Sequence, residues 1–314
     1  MSAFDAYIRL DGSLDGSITC DEPMARHTTY RIGGPAALYL TCETFADLSL
    51  SLETLAEEEV EWVVVGRGSN LLVSDGGYSG AIVVLGKEFS HIDFGAFDKC
   101  ATYEQGTPFR VTVGAAALTA SLVQKTFAAG LSGLEFAVGT PGTIGGALAM
   151  NAGNRDVWIS SIVESVTTYS VGEGLRKRYV DEFEWGYRTG CARPNEVIVE
   201  CCLVLKTADK MMLHASMEAG LKRRKASQPL NQPSCGSVFR NPQGQLASQL
   251  IEECGLKGLK SGGAQVSPMH ANFIVNTGSA TAADVANLIR IVRDKVKGVY
   301  DVELKPEVKF IGFS

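Results

Sequence analysis

Residues 139–153 read GTPGTIGGALAMNAG, and the fold prediction starts from this stretch. Five glycines, three alanines and one proline leave almost no side chain beside the backbone. Glycine permits positive φ and close approach, and successive main-chain N–H groups in such a turn can hold a phosphate. The spacing G-x-x-G-x-x-G is neither the Walker loop nor the dinucleotide fingerprint. The stretch therefore predicts either a ligand-contacting loop or a glycine-rich packing turn.

A second glycine-rich segment follows a short apolar run. Residues 62–65 (WVVV) predict a buried strand, and residues 66–72 (GRGSNLL) follow it directly. The third glycine of a Rossmann fingerprint is absent, so this segment alone does not indicate NAD binding. Two loops rich in main-chain donors in one chain favour phosphate binding over packing.

The composition limits the function classes. The 314-residue chain is 45% hydrophobic and 20% charged, which is ordinary for a globular protein of two or three domains. A formal net charge of −6 argues against nucleic acid or an anionic membrane surface as the main partner. No apolar run approaches the ~20 residues of a membrane span, and the first residues contain no apolar signal core. We therefore expect a cytoplasmic protein.

The potential metal ligands are dispersed. Eight cysteines and four histidines occur without a CxxC pair or a Cys/His cluster. Reduced thiols and no metal site are therefore expected.

Helical periodicity is clear in residues 44–58, 246–254 and 281–297, and residues 214–225 also predict a helix. The first and third of these segments open with Thr and Asp at capping-box spacing, and the third is expected to end at Gly298. Short strand-like runs lie between the helices, at residues 81–85, 110–113, 196–205, 272–276 and 308–311. This mixed order favours an α+β fold over one doubly wound sheet. A composition change at residues 206–210 predicts a domain boundary.

The candidate catalytic side chains are less distinctive than the loops. Ser237 follows a glycine after a proline-rich turn, and Arg188 stands beside an aromatic residue. Glu307 lies in an alternating pattern, residues 304–310, that predicts an edge strand with this side chain facing solvent. Such residues more often serve local hydrogen bonding or face water than act in catalysis. His27 is likewise expected to be a hydrogen-bonded loop histidine.

Taken in order, these segments resemble the UDP-N-acetylenolpyruvoylglucosamine reductase family over nearly the whole chain. The matching segments are residues 27–34 (HTTYRIGG), 66–72 (GRGSNLL), 130–136 (GLSGLEF), 145–146 (GG), 150–153 (MNAG), 187–188 (YR), 236–239 (GSVF) and 306–312 (PEVKFIG). The resemblance implies an α+β fold with a two-part FAD-binding domain of the vanillyl-alcohol-oxidase type and a C-terminal α+β substrate-binding domain. The chain length resembles the short members, which lack a tyrosine-bearing loop.

The resemblance and the composition change together predict three domains. FAD-binding subdomain 1 is expected over residues 1–85 and subdomain 2 over residues 86–207. The substrate-binding domain is expected over residues 208–314, with its last strand returning to the active site.

The resemblance also implies non-covalent FAD as cofactor and NADPH as co-substrate. The implied flavin contacts come from the two glycine-rich loops and one further glycine: Gly66, Arg67, Gly68, Ser69, Asn70, Leu71, Gly139, Thr140, Gly142, Thr143, Gly145, Gly146 and Gly153. This assignment agrees with the expectation of main-chain donors in both loops.

The implied reaction reduces the enolpyruvyl group of UDP-N-acetylglucosamine enolpyruvate to UDP-N-acetylmuramate, a peptidoglycan precursor. Hydride passes from NADPH through FAD to C3 of the enolpyruvyl ether, and enolate character develops at C2. By resemblance Arg188 stabilises this charge through the substrate carboxylate, Ser237 donates the proton to C2, and Glu307 assists that transfer.

The implied substrate contacts are Tyr187, Arg188, Asn241 and Arg224. Alignment across residues 222–228 is ambiguous, so the diphosphate contact stays open among Lys222, Arg223, Arg224 and Lys225. We expect a monomer whose partners are small molecules.

Three residues depart from the family's pattern. Gly190 stands where serine is usual, Ala115 where glycine is frequent, and Lys305 where glutamate is frequent. Gly190 follows Arg188 closely enough to alter how its guanidinium is held.

Two other function classes compete with this interpretation. One is an FAD-dependent oxidase or dehydrogenase of the same superfamily with its flavin tethered through a histidine, for which His27 is the early candidate. The other is a flavin-binding protein without turnover. The presence of Ser237, Arg188 and Glu307 favours the reductase.

Overall fold

A computed structural model describes residues 2–98, 100–154 and 156–313. The α-helices in these residues are Ala3–Leu10 (α1), Phe45–Glu57 (α2), Thr119–Ala129 (α3), Ile144–Ala149 (α4), Lys210–Ser227 (α5), Ala247–Glu253 (α6) and Ala282–Tyr300 (α7). The strands are Ser17–Pro23 (β1), Pro35–Cys42 (β2), Trp62–Val64 (β3), Leu71–Val73 (β4), Tyr78–Leu85 (β5), Ile92–Asp93 (β6), Pro108–Gly114 (β7), Leu131–Ser132 (β8), Val163–Ser170 (β9), Gly174–Tyr179 (β10), Val197–Thr207 (β11), Lys260–Ser261 (β12), Ala264–Val266 (β13), Ile274–Asn276 (β14) and Lys309–Ile311 (β15). The predicted α+β class is confirmed.

The strands form four sheets within the described residues. One sheet has the order β1-β2-β5-β3, and a three-stranded sheet has the order β12-β13-β14. A six-stranded sheet follows the path β10-β9-β11-β7-β6, with β8 beside β11. β15 pairs in parallel with β4. The long strand β11 is antiparallel to its three partners β7, β8 and β9, and Cys201 lies opposite Val113 of β7 and Val166 of β9.

The chain divides into two compact units, each assembled from several stretches. Unit 1 consists of Met1–Thr19, Leu40–Gly66 and Ile82–Arg223, and unit 2 consists of Cys20–Tyr39, Arg67–Ala81 and Arg224–Ser314. The three contiguous domain ranges expected from the sequence stay a prediction.

Each unit has its own hydrophobic core. In unit 1 buried residues of β7, β9 and β11 pack with α3 and α4, among them Val111, Val113, Leu122, Ile144, Leu148, Val166, Cys201 and Leu203. In unit 2 the predicted stripe of α7 is buried with α6, β13 and β14, through Leu250, Val266, Ile274, Val285, Leu288, Ile289, Val292 and Val296. The spacing of three and four residues on α7 puts its apolar side chains on one face, and that face is buried.

The predicted helix starts are confirmed, and one predicted end is wrong. Thr44 with Asp47 and Thr281 with Asp284 form capping boxes at α2 and α7. α7 does not end at Gly298 but continues to Tyr300, and Asp301 adopts the left-handed cap conformation with φ 56°. A glycine inside a helix costs only about 1 kcal/mol, so packing of the long apolar stripe overrides it.

The first three residues of the run WVVV form β3, and they are not buried as predicted. Val64 is 36% exposed, whereas Val65, just beyond the strand, is buried. β3 lies at the edge of its sheet, where side chains alternate between core and solvent. The apolar composition of the run does not indicate that β3 lies at the edge of its sheet.

Asp47 fixes the start of α2 and the preceding turns. Its buried carboxylate accepts hydrogen bonds from the main-chain N–H groups of Asp15 (2.9 Å), Gly16 (3.0 Å), Glu43 (2.9 Å) and Thr44 (3.3 Å). Burial acts to raise the pKa of Asp47, but these hydrogen bonds outweigh it and the pKa is lowered. The ionised form is therefore the one that stabilises the fold.

We expect Asp47→Ala to lower the free energy of unfolding at neutral pH by about 3 kcal/mol, because partly buried donors lose a charged acceptor. The folded-state pKa lies below the unfolded value, so this stabilisation is complete above about pH 5 and is lost as the pH falls through the folded value. Urea unfolding from about pH 7 to pH 3 measures the difference in unfolding free energy between wild type and Asp47→Ala. Asp209→Ala, at the exposed start of α5, is the control. If the difference between wild type and Asp47→Ala does not become smaller at acid pH, the prediction is wrong.

Candidate active site

Residues 139–143 form the tight turn that leads into α4. Gly139 and Gly142 have φ of 70° and 115°, a region that glycine adopts readily. Among residues 2–98, 100–154 and 156–313, no hydrogen-bond acceptor is found for the main-chain N–H groups of Gly139, Gly142 and Thr143. The Thr140 N–H donates to the Ala137 carbonyl. The turn therefore presents main-chain donors, as the sequence predicts.

Gly145 and Gly146 belong to the first turn of α4 rather than to the loop. The Gly146 N–H donates to Thr143 Oγ1 at 3.3 Å. The Gly145 N–H donates to the Ala115 carbonyl at 2.8 Å, and a Cβ at Gly145 would lie 3.0 Å from that of Ala115. Because Gly145 has no side chain, there is room for Ala115, which stands where the family frequently has glycine.

Gly66, the one residue of the segment 66–72 that belongs to unit 1, lies against Thr143 of the same unit. A Cβ at this position would lie 2.5 Å from Thr143 Oγ1 and 3.2 Å from Thr143 Cγ2. The structure therefore brings the first residue of one predicted loop against the other predicted loop. Sequence spacing gave no reason to expect this particular contact.

The segment that follows, residues 67–70, is a second series of main-chain donors. Gly68 has φ 60° and fits against the His27 carbonyl, which a Cβ would overlap. In the described part of the chain, no acceptor is found for the N–H groups of Arg67, Gly68, Ser69 and Asn70. Four successive donors are the arrangement that binds phosphate oxygens. Leu71 then begins β4.

His27 is held on both sides of its ring. Nε2 lies 2.9 Å from Glu22 Oε1, Nδ1 lies 3.0 Å from the Tyr39 hydroxyl, and the ring stacks on Tyr39 with centroids 4.2 Å apart. The hydrogen bond with His27 lowers the pKa of Glu22. Both ring nitrogens are engaged, so this residue is the hydrogen-bonded loop histidine that the sequence predicts. The arrangement argues against His27 as a flavin tether.

Tyr187 and Arg188 occupy the corner of a two-residue turn. Gly186 and Thr189 exchange main-chain hydrogen bonds of 2.9 and 3.1 Å across it. Arg188 has φ 57°, a conformation that costs a non-glycine residue roughly 1–2 kcal/mol. Strain of this kind is concentrated at functional sites, which supports a functional role for the turn.

The Arg188 side chain points back to a predicted flavin contact. Nη1 lies 3.5 Å from the Gly153 carbonyl, and the guanidinium lies 5.4 Å from the Tyr187 ring centroid. The structure thus brings three predicted residues of unit 1 together. The turn that carries two of them is held by Asn151, a residue for which the sequence predicted no role. Its Nδ2 donates to the Gly186 carbonyl at 3.0 Å, and the side chain is buried.

Gly190 is required by packing in this chain. A Cβ there would overlap the main-chain oxygen of Leu148 in α4, and the Cys191 N–H donates to that same oxygen at 3.3 Å. A serine would push the chain away from α4 and with it the turn that carries Arg188. The departure from the family's pattern thus keeps this turn close to α4.

Ser237 and Glu307 are neighbours through the main chain of unit 2. Ser237 is half-buried, and the Glu307 N–H donates to the carbonyl of the next residue, Val238, at 2.7 Å. Asn70 Nδ2 donates to the Glu307 carbonyl at 3.2 Å. The structure therefore brings Asn70 of the segment 66–72 into contact with the main chain near Ser237 and Glu307.

The expectation for the C-terminal segment was wrong in two respects. Residues 304–310 do not form a continuous edge strand, since the strand is limited to Lys309–Ile311. Glu307 is half-buried rather than solvent-facing. An isolated bridge between Phe239 and Pro306 holds this part of the chain against the Ser237 segment, which the alternating pattern alone cannot encode.

Thr29 makes hydrogen bonds with both the segment 66–72 and the segment that contains Ser237. Its N–H donates to the Gly68 carbonyl at 3.2 Å and its hydroxyl donates to the Ser234 carbonyl at 2.7 Å. Sequence reasoning missed this residue, although it lies in the quoted motif HTTYRIGG. Burial raises the pKa of the neighbouring Cys235 to about 12, so this thiol is neutral and is not a nucleophile.

The two other predicted substrate contacts also lie in unit 2. Asn241 Oδ1 accepts from the Ala247 N–H at 3.0 Å, at the start of α6. Arg224 is half-buried and burial lowers its pKa, whereas the Lys222, Arg223 and Lys225 side chains are exposed. This difference favours Arg224 over its three neighbours as a ligand contact.

Two family profiles match the chain. One, described as FAD binding domain, matches residues 36–174, and the other, described as UDP-N-acetylenolpyruvoylglucosamine reductase, C-terminal domain, matches residues 228–311. The UDP-N-acetylenolpyruvoylglucosamine reductase of Heliobacterium modesticaldum is 43% identical over 93% of this chain and 90% of that protein. The one of Geobacter metallireducens is 41% identical over 98% of each. The chain belongs to the UDP-N-acetylenolpyruvoylglucosamine reductase family.

A solved structure agrees with this membership. The reductase from Thermus caldophilus is 34% identical, with a TM-score of 0.78 over 95% of this chain and 99% of that one. The predicted combination of an FAD-binding domain with the family's C-terminal domain is confirmed. Within the described ranges no helix is long and apolar enough to cross a membrane, and no group of three His, Cys, Asp or Glu side chains could hold a metal ion.

Proposed function

We propose that the chain reduces the enolpyruvyl group of UDP-N-acetylglucosamine enolpyruvate to UDP-N-acetylmuramate, with non-covalent FAD as cofactor and NADPH as co-substrate. One observation carries the proposal. A single chain contains both an FAD-binding domain and the reductase C-terminal domain, and it aligns with named reductases over 93% and 98% of its length. Its place is therefore in the supply of peptidoglycan precursors.

The residues present fit the cofactor. FAD, when bound, transfers hydride from NADPH to the enolpyruvyl double bond. Its diphosphate requires several main-chain donors, and the N–H groups of residues 67–70 and of Gly139, Gly142 and Thr143 are of this kind. We assign the remaining flavin contacts to small or backbone-exposing positions of the same segments: Gly66, Leu71, Thr140, Gly145, Gly146 and Gly153.

Arg188 is assigned to the substrate carboxylate. Its guanidinium stays charged and can offer two parallel N–H donors to a carboxylate. When negative charge develops at C2, delocalisation places part of it on that carboxylate, so a fixed cation lowers the barrier. The strained turn and its bond from Asn151 hold the arginine in place before substrate binds. We assign Tyr187, Asn241 and Arg224 to other parts of the nucleotide sugar.

Ser237 is assigned as the proton donor to C2, with Glu307 assisting. A serine hydroxyl is a weak acid in water, but an enolate is a strong base, so orientation of the O–H is what the protein has to supply. The hydrogen bond from the Glu307 N–H to the Val238 carbonyl supports this assignment, because Val238 directly follows the serine. A carboxylate there can accept a hydrogen bond from the donor and help to restore its proton.

We also propose that the enzyme acts as a monomer in the cytoplasm, on small molecules. NADPH and nucleotide sugars are cytoplasmic metabolites, and the net charge of −6 disfavours nucleic acid and anionic membrane surfaces as partners.

Anaerobic half-reactions test the proposed function. The purified protein should be yellow, release its flavin on acid denaturation, lose its colour with NADPH, and regain it when the enolpyruvyl nucleotide sugar is added. Mass spectrometry should show a product two hydrogens heavier than the substrate. Flavin that stays attached after denaturation, or reduction by a simple alcohol, would favour the oxidase alternative. A colourless protein that takes up no FAD would overturn the proposal.

A further inference from the structure

Asn272 holds both residues that follow Ser237. The asparagine lies just before β14 and is only 4% exposed. Its Oδ1 accepts from the Phe239 N–H at 2.9 Å, and its Nδ2 donates to the Phe239 carbonyl at 2.8 Å. The Val238 N–H in turn donates to the Asn272 carbonyl at 2.9 Å. One side chain therefore pairs with both main-chain polar groups of Phe239, as a neighbouring strand would.

The opposite side of the same segment is held by main chain. Glu307 N–H donates to the Val238 carbonyl at 2.7 Å, and Arg240 N–H donates to the Lys305 carbonyl at 2.9 Å. Residues 238–240 are thus fixed from two directions. Gly236, on the other side of Ser237, has φ 81°, and a Cβ placed there would meet nothing within 4 Å. Ser237 therefore lies between the Ser234 carbonyl, which Thr29 holds, and residues 238–240, which are held on both sides.

Asn272 is itself rigidly placed. Its N–H lies 3.3 Å from His270 Nδ1, and the Phe273 N–H donates to the His270 carbonyl at 2.9 Å. The His270 ring packs edge-on against Phe273, with centroids 4.8 Å apart. Burial lowers the pKa of His270, so the ring stays neutral at physiological pH. The amide group of Asn272 is consequently oriented toward the Phe239 main chain before any substrate binds.

We propose that Asn272 is a positioning residue for the proton donor Ser237, acting through Val238 and Phe239. The inference rests on the proposed function, because it assigns Ser237 the proton transfer to C2. A hydroxyl that acts as a weak acid depends on orientation, and a misplacement of about 1 Å can cost roughly 10²-fold in rate. The amide side chain of asparagine supplies both the acceptor for the N–H and the donor for the carbonyl of one residue.

Two variants of graded severity test the proposal. Asn272→Asp keeps an acceptor for the Phe239 N–H but replaces the donor to its carbonyl, and Asn272→Leu removes both bonds at similar volume. Stopped-flow absorbance measures flavin reduction by NADPH and reoxidation by the enolpyruvyl substrate separately. We expect reoxidation to slow by at least about tenfold in the Asp variant and up to about 10²-fold in the Leu variant. Flavin reduction should stay within about twofold of wild type.

A second readout does not depend on turnover. Hydrogen exchange followed by mass spectrometry should show faster exchange in the peptide that contains residues 237–240. Asn276→Asp is the matched control. Asn276 is an asparagine of similar burial in the same region, and its Nδ2 donates instead to the Tyr30 carbonyl at 3.0 Å. This control should leave both half-reactions and the exchange of residues 237–240 unchanged.

The possible failures can be told apart. Equal slowing of both half-reactions in folded Asn272→Asp, or normal reoxidation with faster exchange at residues 237–240, overturns the positioning role. If the Leu variant does not fold, the Asp variant still decides, because it keeps one of the two bonds. If Ser237→Ala itself reoxidises at the wild-type rate, the proposed function fails rather than this inference alone.

Discussion

Ser237→Ala should slow reoxidation of the reduced flavin by the enolpyruvyl substrate by about 10²–10⁴-fold, the usual contribution of a positioned general acid. Alanine removes the only hydroxyl of the side chain and changes the packing very little. The main chain at Val238 and Phe239 stays fixed by its bonds to Glu307 and Asn272. Flavin reduction by NADPH precedes the proton transfer to C2, so its rate should stay close to wild type. Single-turnover absorbance of each half-reaction measures the two rates.

Ser234→Ala is the matched control for this change. Ser234 is a half-buried serine in the same segment, and the bond it makes with Thr29 uses its main-chain carbonyl rather than its hydroxyl. The control should leave both half-reactions near wild type. If Ser237→Ala slowed both half-reactions equally, the serine would be structural and its assignment as proton donor would be wrong.

Arg188→Lys should lower kcat/KM for the enolpyruvyl substrate by about 10²–10³-fold, the loss seen when one preorganised donor to a developing negative charge is removed. Lysine keeps the charge but cannot form two parallel hydrogen bonds to a carboxylate. The main-chain bonds between Gly186 and Thr189 do not depend on the side chain, so the turn should persist. Steady-state kinetics over a range of substrate concentrations gives kcat/KM, and thermal unfolding reports on the fold.

Arg193→Lys is the corresponding control. Arg193 also lies over an aromatic ring, at 5.3 Å from the Phe183 centroid, and donates to a main-chain carbonyl, that of Glu182 at 3.1 Å. Its replacement should change kcat/KM by less than about twofold. Similar losses in both variants would show that the effect at position 188 comes from packing of the arginine rather than from contact with substrate.

The elements that the sequence predicted best are those with local causes. The capping boxes at Thr44 and Thr281 need only residues three apart, and the buried stripe of α7 needs only its own periodicity. The wrong predictions depended on distant residues. α7 passes Gly298 because its face is packed in the core of unit 2, and Val64 is exposed because β3 is an edge strand.

The candidate site also contains features that the local sequence predicts and features that depend on distant residues. Glycine spacing predicted the positive φ of Gly139 and Gly142, because backbone freedom is a property of the residue itself. The roles of Asn151, Thr29 and Asn272 were not predictable from spacing. Each makes hydrogen bonds with main-chain groups that lie far away in sequence, and a buried asparagine has no local pattern that distinguishes it from one in a turn.

The sequence by itself determined the family, the kind of cofactor and the two donor-rich segments, because glycine content and motif order are local and survive in a linear string. Only the tertiary structure decided which groups meet. Asn70 reaches the Glu307 carbonyl across 237 positions, and Asn272 reaches Phe239 across 33. Hydrogen bonds over such separations form when packing of the cores brings the segments together, and no property of the single residues specifies them.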